Sequence, residues 1–166
     1  MNTPYSDPVV TKYFDLIKSK TKAFREFYQG DPMIVPLSKL PCLILSRKAT
    51  GIRKLTNAED EHRMQLSLTV ITSILEEIRD EKDLAPGISR LYELVEGRDT
   101  TTLALQEQSL LHILRNNILV DATTGLRTDL DTPTEVNFDQ LTARRKMGLW
   151  TAEAEIAFIA HFTQVR

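Results

Sequence analysis

A chain of 166 residues and 18.9 kDa is one ordinary domain, long enough to remove about two-thirds of its unfolded surface from water without disulfides or metal to hold it. Apolar residues at 42% and charged residues at 27% exclude disorder over the whole chain, and the single cysteine, Cys42, excludes an internal disulfide and any zinc site built on several thiolates. Lys and Arg number 21 against 23 Asp and Glu, a net charge of −2 that gives no electrostatic reason to bind nucleic acid or an anionic membrane.

Met1 to Val10 lacks the basic start and apolar middle of a secretory signal, and no stretch reaches the roughly 18 uninterrupted apolar residues of a membrane span. A soluble, intracellular protein is expected, or a part of something assembled inside a cell. Asp7-Pro8 predicts a helix start, with a cap residue before a proline at the first helical position. Val10, Tyr13, Phe14, Ile17, Thr21, Phe24 and Tyr28 recur at steps of three and four, which predicts an amphipathic helix of about five turns. It should end at the turn Gly30-Asp31-Pro32.

Leu40 to Ser46 is a short apolar run entered through Pro41, the pattern of a buried strand. Residues 47–63 differ: Arg47, Lys48, Arg53 and Lys54 lead through Gly51 toward Glu59, Asp60, Glu61 and His62, and predict an exposed, projecting loop. Met64, Leu66, Leu68 and Val70 then alternate with polar residues, a half-buried strand whose expected partner precedes the loop. From Ile71 to Ile78 the period is compatible with either strand or helix. Ile88, Leu91, Tyr92 and Val95 predict a short helix ending at Gly97, and Leu103 through Ile118 a second one capped by Asp99 or a threonine at 100–102. Strand returns over Thr134 to Thr142, followed by the hairpin tip Arg144-Arg145-Lys146-Met147-Gly148. Trp150, Ala152, Ala154, Ile156, Phe158, Ala160 and Phe162 then share one face of a strand of about fifteen residues, far longer than the usual five or six. The expected fold is a single α+β domain over residues 1–166, an antiparallel β-sheet with helices packed on one face, in the order α-β-β-α-α-β-β.

The chemistry expected from these residues is sparse. The six glycines form no phosphate-cradling motif, so no nucleotide cofactor is expected. Cys42 lies in an apolar run where a thiol is an inert small hydrophobe. Ser109 and His112 are three apart on a helix but lack a nucleophile turn, and Asp129-Leu130-Asp131 has the composition of a capped turn. Glu59, Asp60, Glu61 and His62 offer metal-binding atoms, yet adjacent residues point in different directions and need distant partners to chelate one ion. An enzyme with a metal at that cluster, for hydrolysis or phosphoryl transfer, is the alternative carried forward; a small protein-binding adaptor is another. The preferred expectation is no catalytic residue, no metal and no cofactor. Partner contacts fall on the two projections, through Arg47, Lys48, Arg53, Lys54, Glu59, Asp60, Glu61, His62, Arg144, Arg145 and Lys146.

The N-terminal amphipathic helix, the strand Leu40-Pro41-Cys42-Leu43-Ile44-Leu45, the charged loop, the strand Met64 to Val70, the helices and the closing hairpin ending Glu155-Ile156-Ala157-Phe158 together resemble the tail terminator, or tail-completion, proteins of tailed bacteriophages. The resemblance is one of layout over nearly the whole chain, and the two helices between Ile88 and Ile118 depart from the shortest members. It implies a structural virion protein, assembled in the host cytoplasm, that forms a ring, commonly a hexamer, on the end of the tail tube. Such a ring stops tube polymerisation and joins the tail to the neck and capsid. Its implied partners are further copies of itself, the tail tube protein and a neck or head-completion protein. DNA would pass through the ring without being read, and no membrane is involved.

Overall fold

The computed structural model describes residues 7–73, 89–138 and 151–165. The chain is a mixed, broadly α+β fold. Its elements are α1 (Pro8–Lys20), β1 (Glu26–Gln29), a 3-10 turn (Leu37–Lys39), β2 (Cys42–Lys54), β3 (Glu59–Ser73), α2 (Ser89–Glu96), α3 (Leu110–Asn116), β4 (Leu119–Asp121), β5 (Leu126–Thr128), β6 (Glu135–Phe138) and β7 (Thr151–Val165). The strands form one curled, mostly antiparallel sheet in the order β1-β2-β3-β7-β5-β4, with β6 also pairing with β7. Among the described strands, only β1 and β2 pair in parallel.

β3 and β7 are the spine. They pair antiparallel over their whole lengths, from Glu59↔Val165 to Ser73↔Thr151. Alternation decides which face of each is buried: Met64, Leu66, Leu68 and Val70 on β3 and Ala152, Ala154, Ile156, Phe158 and Ala160 on β7 point to one side. There they meet Val10, Tyr13 and Ile17 of α1, Leu91, Leu94 and Val95 of α2, and Leu110, Ile113 and Leu114 of α3. The three helices among the described residues therefore cover one face, which we call the helix side. Tyr13 rests against Phe158 with ring centroids 5.2 Å apart, and its hydroxyl shares a 3.0 Å hydrogen bond with Thr128. Burial pushes that phenol up to about 12. A small second cluster of Leu40, Cys42, Ile44 and Ile71, with Tyr28 and Val35 against it, lies on the other face.

Several expectations need correction. The first helix stops at Lys20, because Thr21 is extended (φ −131°, ψ 138°). Asp7 caps its start, accepting from the Val9 and Val10 amides. Phe24 and Tyr28 keep helical spacing but belong to an aromatic corner and to β1: Phe24 and Phe14 each meet Phe27 edge-on, at 5.7 and 5.8 Å. Aromatic residues suit a pleated strand, and β1 satisfies its backbone against the start of β2. The helix expected over Leu103 to Ile118 spans only Leu110–Asn116 with Ser109 as its cap. Leu103 instead sits in a tight turn at φ 59°, where the Asp99 carboxylate accepts from the Thr101 and Thr102 amides. Ile118 leads into the β4–β5 hairpin, absent from the sequence expectation, whose turn uses Gly125 at φ 68°. The loop expected at 47–63 is not a loop but the outer half of the β2–β3 hairpin.

Other expectations hold. β7 runs fifteen residues, and β2 pairs with β3 from Cys42↔Ile71 onward. α2 ends before Gly97. β3 carries strand through Ile71 to Ser73, and β6 occupies part of Thr134 to Thr142. Ile74 to Ile88, Trp150 and the hairpin tip at 144–148, with Arg144, Arg145 and Lys146, lie outside the described residues. No helix among the described residues is long and apolar enough to cross a membrane.

Candidate subunit interface

β2 and β3 do not stop where the core stops. β2 is buried from Cys42 to Leu45 and exposed from Arg47 to Lys54, while β7 becomes exposed at Thr163. The outer ends of β2, β3 and β7 thus form a three-stranded blade beyond the helices. The hairpin closes at residues 55–58, where the Leu55 and Thr56 amides donate to the Glu59 carbonyl at 3.1 and 3.2 Å. β1 reaches β2 only at Cys42 to Leu45, and β5 reaches β7 only at His161 and Ala160. Among the described residues, no strand pairs with the outer edge of β2 from Ser46 to Lys54, or with the far edge of β7 from Phe162 to Val165. The β2 edge carries the devices that keep an open strand from pairing indiscriminately: four basic residues and a bulge between Arg47 and Ala49.

The expected interface residues divide between this blade and its root. Strand pairing places Arg53 opposite Glu61 and Lys54 opposite Asp60, so the basic and acidic halves are two matched arms of one hairpin. Arg53 Nε stands 3.8 Å from the Glu61 carboxylate, yet the arginine side chain keeps 77% of its exposure. Arg47 belongs to the root, where it reaches Asp7 at 2.8 Å and ties β2 to the cap of α1. Lys48 turns to the other face and stands 4.0 Å from Glu155, which also accepts from Ser67.

Alternation splits the Glu59 to His62 cluster. His62 faces the helix side and stacks on Phe162 at 4.7 Å with the rings 7° from parallel. Glu61 faces the opposite side, where it meets His161 Nε2 at 2.7 Å. Arg127 Nε donates to His161 Nδ1 at 3.2 Å, which leaves the imidazole proton on Nε2, facing the carboxylate. The row Arg127–His161–Glu61–Arg53 therefore crosses four strands. One step along, Arg63 pairs with Asp129 and Thr132. Burial raises the Asp129 carboxyl, but hydrogen bonds from Arg63, Thr132 and the Asp131 amide outweigh it and leave the group below the usual range. Among the described residues no three His, Cys, Asp or Glu side chains gather as a metal-ligand set.

The remaining candidates have structural partners. Burial pushes the Cys42 thiol up to about 11, helped by the charges of Glu153 and Glu26, so little thiolate forms at neutral pH. Ser109 is a helix cap, donating to the Gln106 carbonyl at 2.8 Å and accepting from the His112 amide at 3.4 Å. His112 Nε2 meets Asn116 Nδ2 at 2.8 Å, one turn along α3. Asp129 and Asp131 form the expected capped turn, the Asp131 amide donating to Asp129 at 3.0 Å.

Sequence reasoning placed Phe162 on the apolar face of the last strand but did not single out Arg63, Arg127 or His161, and these residues hold the blade to β5 and the core. Their signal is one of register: once β3 and β7 are aligned, Glu61 and His161 fall within one step of each other across the pair. No protein-family model matches the chain, and a search of the curated proteins finds no match.

Proposed function

We propose that this protein is a structural component of a tailed-phage virion, a ring-forming tail terminator that caps the tail tube and joins it to the neck. The observation that supports this reading best is the blade. The outer ends of the fifteen-residue strands β3 and β7 carry the sheet past the helices, and the open β2 edge there bears basic charge beside an acidic arm. A monomer gains little from holding a sheet where it has no core to bury. A ring subunit needs such an element, because head-to-tail closure joins two different patches of the same chain. Arg53 and Lys54 already face Glu61 and Asp60 within one hairpin, and on this reading a like pairing forms between the basic arm of one copy and the acidic arm of the next.

The skeleton of the fold, on this reading, is α1, β2, β3, α2, α3, β6 and β7, the order α-β-β-α-α-β-β, to which β1, β4 and β5 are short additions that seal the sheet. The partners are further copies of the chain, the tail tube protein and a neck or head-completion protein; the place of action is the virion, assembled in the host cytoplasm. The protein works by contact and needs no catalytic group.

Light scattering across a concentration series, with negative-stain imaging alone and with tail tubes, tests the proposal. Closed rings, free or on tube ends, are expected. A strict monomer under all these conditions, stabilised by a divalent metal, would overturn the reading and favour an enzyme at the Glu59 to His62 arm.

A further inference from the structure

One imidazole in this protein holds two neighbours, and only one of the two bonds survives a change in its charge. His161 sits on β7 where the strand leaves the core, its side chain 12% exposed. Glu61 of β3 accepts from its Nε2 at 2.7 Å, and Arg127 of β5 donates through Nε to its Nδ1 at 3.2 Å. A ring nitrogen accepts a hydrogen bond only while it carries no proton, so the Arg127 bond requires the neutral ring. The second proton goes to Nδ1, the nitrogen that Arg127 occupies. There it sets N–H against N–H and cation against cation, whereas the Nε2–H donates to Glu61 in either state.

The groups around the ring leave the switch to His161. Among the described residues, the charged groups that face it are Glu61 and Arg63 from β3, Arg127 from β5 and Asp129 just beyond β5, with Arg53 of β2 behind Glu61. Arg63, directly opposite His161 in register, is held by Asp129 and Thr132. Arginine keeps its charge throughout, carboxylates ordinarily titrate below about pH 5, and Asp129 is held lower still. Imidazole is the side chain whose charge ordinarily changes between about pH 5 and 8. The other two histidines lie elsewhere, His62 on the helix side against Phe162 and His112 on α3.

We propose that His161 is a pH-sensitive latch at the root of the blade: the neutral ring ties β5 to β7 and β3 through Arg127, and the protonated ring keeps Glu61 and releases Arg127. The tie matters because β5 is short. It reaches β7 at Arg127↔His161 and Thr128↔Ala160, and the Asp129 amide closes the contact on the Ile159 carbonyl at 2.8 Å. Thr128, the next residue, carries the hydrogen bond to Tyr13 of α1. Releasing Arg127 therefore loosens the fourth strand at the blade's root, and with it the part of the sheet that joins the blade to α1, while β2, β3 and β7 stay paired. The inference needs no second copy of the chain and does not rest on the ring reading.

Nuclear magnetic resonance on the whole chain between pH 8 and pH 5 tests it, with His62 and His112 as internal references. The ring nitrogens of His161 should show the Nε2–H tautomer at pH 8 and gain the Nδ1 proton on acidification. The Arg127 Nε–H signal should shift with the same midpoint. Exchange of the Asp129 amide, corrected for the intrinsic effect of pH, should speed up about two- to tenfold, the factor that one net hydrogen bond of ordinary strength supplies. In His161→Gln, whose side chain offers an acceptor and a donor and does not titrate, that pH dependence should vanish. The wild-type titration decides alone should the variant fail to fold. An Nδ1–H tautomer at pH 8, an Arg127 signal or Asp129 exchange that ignores the His161 titration, or an unchanged pH response in folded His161→Gln would overturn the latch.

Discussion

Reversing charge on the basic arm separates what the blade contributes to the fold from the subunit contact proposed for it. Arg53→Glu/Lys54→Glu removes the cross-strand partners of Glu61 and Asp60 and places like charges opposite each other in the hairpin. Within one subunit the cost is small, because Arg53 is 77% exposed and exposed pairs contribute about 0.2–1 kcal/mol each. Losing two such pairs lowers the melting temperature by at most about 4–8 °C, at about 2–4 °C per kcal/mol for a chain of this size, and the like-charge repulsion adds a comparable amount. If the proposed ring contact forms, the same reversal sets an acidic arm against an acidic arm, and like charges forced together across an interface cost several kcal/mol; even about 3 kcal/mol would weaken association by roughly two orders of magnitude. Circular dichroism melts report the first effect and light scattering at rising concentration the second. Compensation belongs at Glu59→Lys/Asp60→Lys and not at Glu61, since Glu61 also holds His161 at 2.7 Å. The compensated protein should recover part of the lost association, a coupling that the double-mutant cycle measures directly. Raising salt from 0.1 to 1 M, which shortens the Debye length from about 10 to about 3 Å, should weaken the wild-type contact in the same sense. If association is the same in wild type and Arg53→Glu/Lys54→Glu, the arms are not the electrostatic contact.

Three further outcomes follow from the core and its caps. Phe158→Ala empties a site that is 1% exposed beneath Tyr13 and should cost about 3–5 kcal/mol in a denaturant titration; a loss below about 1 kcal/mol would contradict the register of β7. Gly97→Ala places a Cβ 2.6 Å from the Glu93 carbonyl oxygen and 2.9 Å from Gln106, so it should destabilise by about 1–3 kcal/mol, measured the same way. Acid should also unfold the protein progressively. Hydrogen bonds from Lys12 and Thr124 hold the Asp121 carboxyl below its ordinary value, and those from the Thr102 and Thr101 amides do the same for Asp99. Carboxyls depressed in the folded state contribute stability above about pH 4 and lose it as pH falls through their folded values, so a melting temperature flat from pH 5 to 2 would refute these pairings.

Where side-chain alternation is strong and one face is buried, the elements are legible in the sequence. β7 is found because Ala152, Ala154, Ile156, Phe158 and Ala160 recur at every second position, with Glu153 and Glu155 between the first of them, a pattern no helix satisfies. α1 is found at its start, where Asp7 and Pro8 are local signals, but not at its end. Phe24 and Tyr28 keep a helical step by coincidence, and what removes them from the helix is a parallel pairing with Cys42 to Leu45 that no local pattern encodes. The same holds for β4 and β5, three residues each, whose reason to exist is the edge of β7 at His161.

The blade is legible in composition and hidden in geometry. Four basic residues, a glycine and three acidic residues have the composition of a solvated loop, and exposed strand differs from exposed loop only through its partner. That partner is β7, whose last residues Thr163, Gln164 and Val165 continue alongside Glu61, Asp60 and Glu59. Once β3 is fixed from both sides, it imposes strand on β2 out to Lys54 and sets each charge on a known face. The consequence is mechanical. A flexible charged loop gives a neighbouring subunit no fixed pattern to match, whereas a three-stranded blade presents Arg53, Lys54, Asp60 and Glu61 in a fixed register, the condition under which exposed charges select one partner orientation over another.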